Sequence, residues 1–192
     1  QPIVRDISVR KPGGQWATLG QNLLPEYHVV SGLRRMSSDH VGSLPAAGIP
    51  LTPEVVAKNR WFAFHDAPLE VPGVSGTQNP PLPRKPEEIR RADATFNVTG
   101  CAVKTDGARI EVNFPGLSMG IFSGSLQFTM YRGTNLIRMD AIAKTDEQFV
   151  AYKYDAGLKG FSTETMSRVI WRDTADGPQQ YQFGGGKNHT LV

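Results

Sequence analysis

GLSMGIFSGSLQFTMYRGTNLIRMDAIAKTDEQFVAYKYDAGLKGF, residues 116–161, carries the strongest pattern in the chain. Leu126, Phe128 and Met130 alternate with Gln127, Thr129 and Tyr131, the period of two that a half-buried strand imposes. Arg132-Gly133-Thr134-Asn135 is turn chemistry, with Gly133 able to take positive φ. Ile137, Met139, Ala141 and Ala143 then share one face, and Arg138, Asp140 and Lys144 the other, beside Leu136 and Ile142. The pattern predicts a hairpin with one dry and one mostly polar face. Asp146-Glu147 makes the next turn, and residues 149–154 are nearly continuous in large side chains. That run predicts a strand covered on both faces, ended by Asp155-Ala156-Gly157, and the three strands together predict an antiparallel meander.

Working outward, the N-terminal side offers strands at residues 2–10, 15–19 and 27–31, with Lys11-Pro12-Gly13-Gly14 as a turn. Thr52-Pro53-Glu54 is a helix start: Thr can cap, Pro suits the first helical position, and Glu suits the positive end of the dipole. The helix is expected to stop near Asn59, followed by a buried strand over residues 61–66. Nine of the fourteen prolines lie between Pro45 and Pro86. The insertion at about 67–86 has no capacity for a ladder, since Pro cannot donate to a sheet. A loop of this length is functional, an interaction arm or disordered. Residues 86–89 offer one more helical turn.

A strand is expected through Ala94, Phe96 and Val98, with a bulge at Gly100. Asp106-Gly107 suits a type I′ hairpin turn, and Ile110, Val112 and Phe114 alternate on the return. Beyond the central stretch, residues 168–171 and 180–183 read as strands around the turn at Thr174–Pro178. Many short strands at hairpin spacing predict an all-β antiparallel sandwich with one or two short helices. A length of 192 residues allows one sandwich domain over residues 1–192, or the N-terminal part of a larger one. Residues 187–192 resemble the start of a further strand, so the native protein is expected to continue.

The net charge is +3, but the basic residues are scattered, which argues against nucleic-acid binding. No apolar run is long enough to span a bilayer as a helix. Cys101 is the one cysteine, so no intramolecular disulfide can form, and its place in a strand pattern predicts a small buried residue. No G-x-S-x-G, P-loop, HExxH or EF-hand pattern occurs. The four histidines lie far apart, so no metal site and no cofactor is expected. The chain opens on Gln1, as a processed N-terminus or a fragment boundary would leave it.

The run FSGSLQFTMYRGTNLIRMDAIAKTDEQFVAYKYDAGLKG resembles strands of galactose-mutarotase-like supersandwich domains. Such domains occur in secreted bacterial polysaccharide lyases and some glycoside hydrolases. The likeness covers about the middle quarter of the chain, and no catalytic motif matches residue by residue. It implies a complete or partial supersandwich, secreted or periplasmic, belonging to a carbohydrate-active protein. That protein is part of a lyase or hydrolase, or a sugar-binding module, with catalysis left open and a polysaccharide or oligosaccharide as partner. The alternative is a structural protein that docks a neighbouring chain, or the rest of its own polypeptide, through the Pro-rich arm and an open strand edge.

The candidate sugar site joins Trp61, His65 and Asp66 to Tyr154, Asp155 and Lys159. An aromatic face suits the apolar side of a pyranose, carboxylate and amine suit its hydroxyls, and His suits proton transfer. The same residues also read as a core Trp with a loop-capping His-Asp pair, and as a solvated strand end. The resemblance to lyases adds Arg34 and Arg35 as candidate partners for a uronate carboxylate.

Overall fold

The computed structural model describes residues 1–34, 36, 38–60 and 86–183. The fold is all-β, built from antiparallel sheets with two short helices. The strands are β1 (Val4–Arg10), β2 (Trp16–Leu33), β3 (Arg90–Asp93), β4 (Thr95–Phe96), β5 (Ala102–Thr105) and β6 (Arg109–Met119). They continue with β7 (Phe122–Tyr131), β8 (Ile137–Lys144), β9 (Val150–Lys159), β10 (Arg168–Arg172) and β11 (Pro178–Gln182). Helices α1 (Ser38–Ala46) and α2 (Pro53–Lys58) lie between β2 and β3. Neither helix is long and apolar enough to cross a membrane.

The chain forms two compact units, and their boundary cuts β2 after Glu26 and β9 after Ala156. Within the larger unit, a five-stranded sheet runs β4-β6-β7-β8, with β5 also on β6. Its partner layer is the second half of β2, carrying β3 and the start of β9. Tyr27 and Val29 from β2 meet Leu117, Met119, Phe122 and Leu126 from β6 and β7, with Phe96, Phe114, Phe128 and Met139 packed around them. This is a sandwich core, and its inner faces come from the period of two: Leu126 sits opposite Phe114 and Ala141, and Phe128 opposite Val112 and Met139. In the partner layer, buried Val30 and Ala151 make a second small cluster with Ile89 packed against them.

Two features let the layers close. Pro115 and Gly116 interrupt the β6–β7 register, which passes from Pro115–Ser125 to Leu117–Gly124. Gly116 takes φ +96°, and its carbonyl accepts the Asn97 N–H at 2.8 Å. A Cβ there would stand 2.1 Å from the Asn97 carbonyl oxygen, so the bulge needs glycine for β4 to approach. The second feature is a change of sheet at Ala94, whose N–H donates to the Tyr27 carbonyl at 2.8 Å.

The smaller unit holds β1 on the first half of β2, and the β10–β11 hairpin. Leu23 is fully buried there, and the Phe161 ring and Leu23 cover Gly20 so closely that no side chain fits.

Several expectations are corrected. The meander stops after β8, because β9 pairs with β2 in the other layer. The turn is made by Phe149, at φ +58°, whose carbonyl accepts the Arg34 N–H at 2.7 Å. Nor is residues 149–154 a strand covered on both sides: Ala151 is buried, but Phe149, Tyr152 and Tyr154 are exposed. The strand also runs past Asp155-Ala156-Gly157 to Lys159. The two short strands expected at 15–19 and 27–31 are one strand of 18 residues. Gly20, Asn22 at φ +53° and Pro25 disguise its continuity; Pro25 falls beyond the Val4–Leu23 pair and ahead of the His28–Asp93 pair. Of the strand expected through residues 94–98 only β4 at Thr95–Phe96 forms, and β3 just ahead of it, in the other layer, was not expected.

The hairpin at Asp106-Gly107 forms, but not as a type I′ turn. Thr105 pairs with Ile110, and the Asp106 carboxylate accepts the N–H groups of Ala108 and Arg109, both at 2.9 Å. Cys101 is exposed, ahead of β5 rather than inside a strand. Helix α2 forms where Thr52-Pro53-Glu54 predicts it, with the Thr52 hydroxyl accepting the Val55 N–H and Asn59 closing the end. The strand expected at 61–66, the insertion at about 67–86 as far as residue 85, and the strand start at 187–192 lie outside the described residues.

Candidate functional site

Because β8 and β9 do not pair, the sandwich of the larger unit is open along that side. The opening is a cleft of about 590 Å³. One wall is Tyr27 and Val29 of β2 with Tyr152, Tyr154 and Ala156 of β9; the other includes Phe122 of β7 and Met139, Asp140 and Lys144 of β8. Strand alternation explains the tyrosines: residues 152, 154 and 156 share the side of β9 opposite to buried Ala151. Tyr152 and Tyr154 are 60% and 64% exposed. The Phe122 and Tyr152 rings meet edge to face with centroids 5.3 Å apart.

Tyr27 differs from its neighbours. It is 3% exposed, and its hydroxyl has no hydrogen-bond partner among the described residues. Burial, helped by the negative charge of Asp140 and by Tyr154, pushes its pKa up to about 12, so the phenol is neutral at physiological pH.

A second opening of about 430 Å³ shares Phe122, Thr145 and Tyr152 with the first. Its remaining wall is Arg34, Lys58, Arg60, Glu147, Phe149 and Val150. The Arg90 guanidinium forks onto both Glu147 carboxylate oxygens at 2.7 and 2.8 Å. That donation holds the Glu147 carboxyl below the usual carboxylate range.

The outer face of the five-stranded sheet is a third polar site, of about 250 Å³, but its charges satisfy one another. Arg109 pairs with Glu111 at 3.1 Å and Arg138 with Asp140 at 2.8 Å. Among the described residues no three His, Cys, Asp or Glu side chains gather to hold a metal ion. His28 and Asp93, at 2.7 Å, are a cross-strand pair between β2 and β3.

Of the six sequence-predicted site residues, Trp61, His65 and Asp66 lie outside the described residues. Tyr154 lines the cleft. Asp155 follows it on the opposite side of β9 and is exposed. Lys159 belongs to the smaller unit, where it faces Glu26 of the same unit at 3.6 Å. Arg34 stands in the wall of the second opening, and Arg35 is outside the described residues. Sequence reading missed Tyr27, Phe122, Tyr152, Lys58 and Arg60. Tyr152 carried a signal, since period two from Tyr154 places both on one face. Comparison with protein-family models, with curated proteins and with solved structures found no match for this chain.

Proposed function

We propose that the larger unit binds carbohydrate in the cleft between β8 and β9, as a domain of a secreted carbohydrate-active protein. The observation that supports this most is the wall itself: Tyr152 and Tyr154 are exposed tyrosines on one side of a strand, facing a cleft that Lys144 also lines. Exposed aromatic rings stack on the apolar face of a pyranose, and a few polar groups beside them fix its hydroxyls. The resemblance of residues 122–160 to supersandwich strands points the same way. The test is a glycan array, followed by calorimetry on the best binders with Tyr152→Ala and Tyr154→Ala. Each variant is expected to weaken binding about tenfold or more while leaving the thermal midpoint nearly unchanged, because both rings are exposed. A lyase or hydrolase assay on the same glycans separates an enzyme part from a binding module.

One observation favours the second reading, an assembly protein. Ile110, Met130 and Ile137 are direct cross-strand neighbours on β6, β7 and β8, and all three are exposed. They continue the apolar inner face beyond the core, as a surface that docks a neighbouring chain would. Sedimentation velocity over a concentration series tests this: association that Ile137→Lys abolishes supports it, and a monomer throughout removes it.

A further inference from the structure

The opening beside Arg34 has a charge arrangement that the proposed cleft between β8 and β9 does not use. Arg34 follows β2, Lys58 ends α2, and Arg60 follows the Asn59 cap. The helix end is tightly built: the Asn59 side-chain amide donates to the Val55 carbonyl at 2.8 Å, and the Arg60 N–H donates to the Ala57 carbonyl. The Arg60 guanidinium reaches back to the Arg34 carbonyl at 3.4 Å. Three cations therefore line one opening of about 430 Å³.

The carboxylate in that wall does not neutralise them. Glu147 is held by the two-pronged bond from Arg90. Glu87 and Glu88 line the adjoining opening together with Arg34 and Arg60. Yet among the described residues neither Arg34, Lys58 nor Arg60 makes an ion pair with a carboxylate. Like charges that line one opening repel one another, and an oxyanion bound among them relieves that repulsion. Guanidinium groups offer paired N–H donors matched to carboxylate, sulfate or phosphate oxygens, and the lysine adds a point charge. Phe122, Phe149 and Tyr152 supply an apolar wall for the rest of a ligand. Phe149 lines the opening with φ +58°, which a bulky residue adopts only under constraint and which fits a functional wall.

We propose that Arg34, Lys58 and Arg60 form an oxyanion-binding site that takes the carboxylate, sulfate or phosphate group of a ligand. The site shares Phe122 and Tyr152 with the neighbouring cleft, but its three cations are not part of the proposed sugar cleft and the proposal does not depend on sugar binding there.

The test uses the intact protein and three probes: sodium sulfate, sodium phosphate and sodium glucuronate. Each is titrated against sodium chloride at equal ionic strength, with the thermal midpoint and calorimetric heat as readouts. Specific binding raises the midpoint by mass action beyond the chloride control. The expected result is saturable binding of at least one probe. Lys58→Gln and Arg60→Gln should each weaken it about tenfold. Lys104→Gln, on β5, and Tyr154→Ala, in the neighbouring cleft, should leave it unchanged. Lys58 is exposed at a helix end, so its variant is expected to fold whatever Arg60→Gln does. Preference for glucuronate assigns the site to a carboxylate ligand, and preference for the inorganic ions assigns it to a sulfated or phosphorylated one. No probe exceeding chloride, or equal binding by Lys58→Gln and Arg60→Gln, overturns the proposal. Loss of sugar binding in Tyr154→Ala with anion binding kept shows the two sites to be separate.

Discussion

Phe122 of β7 and Tyr152 of β9 meet with their rings at 65°, joining strands that belong to different layers of the sandwich. Phe122 is 7% exposed and Tyr152 is 60% exposed, so the pair runs from the core to the surface. The two halves have different tasks, and substitution separates them. Phe122→Ala removes a core ring and should cost about 3–5 kcal/mol in urea denaturation. Tyr152→Ala should cost under about 1 kcal/mol. Equal costs would place Tyr152 in the core and remove it from the proposed sugar-binding wall.

Tyr27 gives a prediction in alkali. Its folded pKa is raised to about 12 from the ordinary value of 10. The stability it contributes is complete below the unfolded value, because both states then hold the proton. Above pH 10 the unfolded chain releases the proton first, so stability falls as pH rises toward the folded value. The full difference is about 3 kcal/mol, of which about half is gone by pH 11. Tyr27→Phe should match the wild type within about 0.5 kcal/mol at pH 8, since the lost hydroxyl has no partner. It should be the more stable of the two at pH 11. A constant difference from pH 8 to pH 11 would contradict the buried phenol.

Gly124 faces Ala143 across β7 and β8, and a Cβ there would stand 1.9 Å from the Ile142 carbonyl oxygen. Backbone cannot yield as a side-chain tip can. Gly124→Ala should therefore cost more than about 3 kcal/mol. Gly100→Ala, where nothing lies within 4 Å, should change stability by less than about 0.5 kcal/mol. Urea denaturation of both variants checks the contrast.

Arg90 and Glu147 give a prediction in acid. The fork from Arg90 lowers the Glu147 pKa, so the contribution is present above the unfolded carboxyl value and is lost as pH falls through the folded one. Arg90→Gln should move the Glu147 titration upward in carboxyl-carbon NMR. Because both side chains are about two-fifths exposed, the shift should shrink in high salt. An unmoved titration would remove Arg90 as the group that neutralises Glu147.

The sequence announced elements better than partners. The β7–β8 hairpin was legible because Leu126, Phe128, Met139 and Ala141 repeat the period of the pleat over two strands and a glycine turn. The α2 start was legible because Thr52, Pro53 and Glu54 each answer a separate need of a helix N-terminus. The departure of β9 was not legible, since alternation reports which residues share a face and not which strand lies alongside. The chain turns ahead of β9 with Phe149 at positive φ, and Phe149 is a residue that carries no turn signal. Helix α1 was hidden by Gly42 and Pro45, both poor helix formers, and it leaves Val41 exposed, so no apolar stripe marks it. The cleft inherited these limits. Tyr154 was found from its composition, but Tyr27 and Phe122 reach the same place only through the stacking of two layers.

The most direct measurement on the proposed sugar cleft uses its methionines. Met119 and Met139 line the cleft, whereas Met130 sits further along the same sheet, beside Ile110 and Ile137. Methyl-labelled methionine gives five NMR signals, assigned by single Met→Leu variants, and these are followed during titration with the best oligosaccharide from the array. The expected result is saturable shifts at Met119 and Met139 with Met130 still. Saturable binding that moves Met130 and leaves Met119 and Met139 unmoved would contradict the cleft as the sugar site.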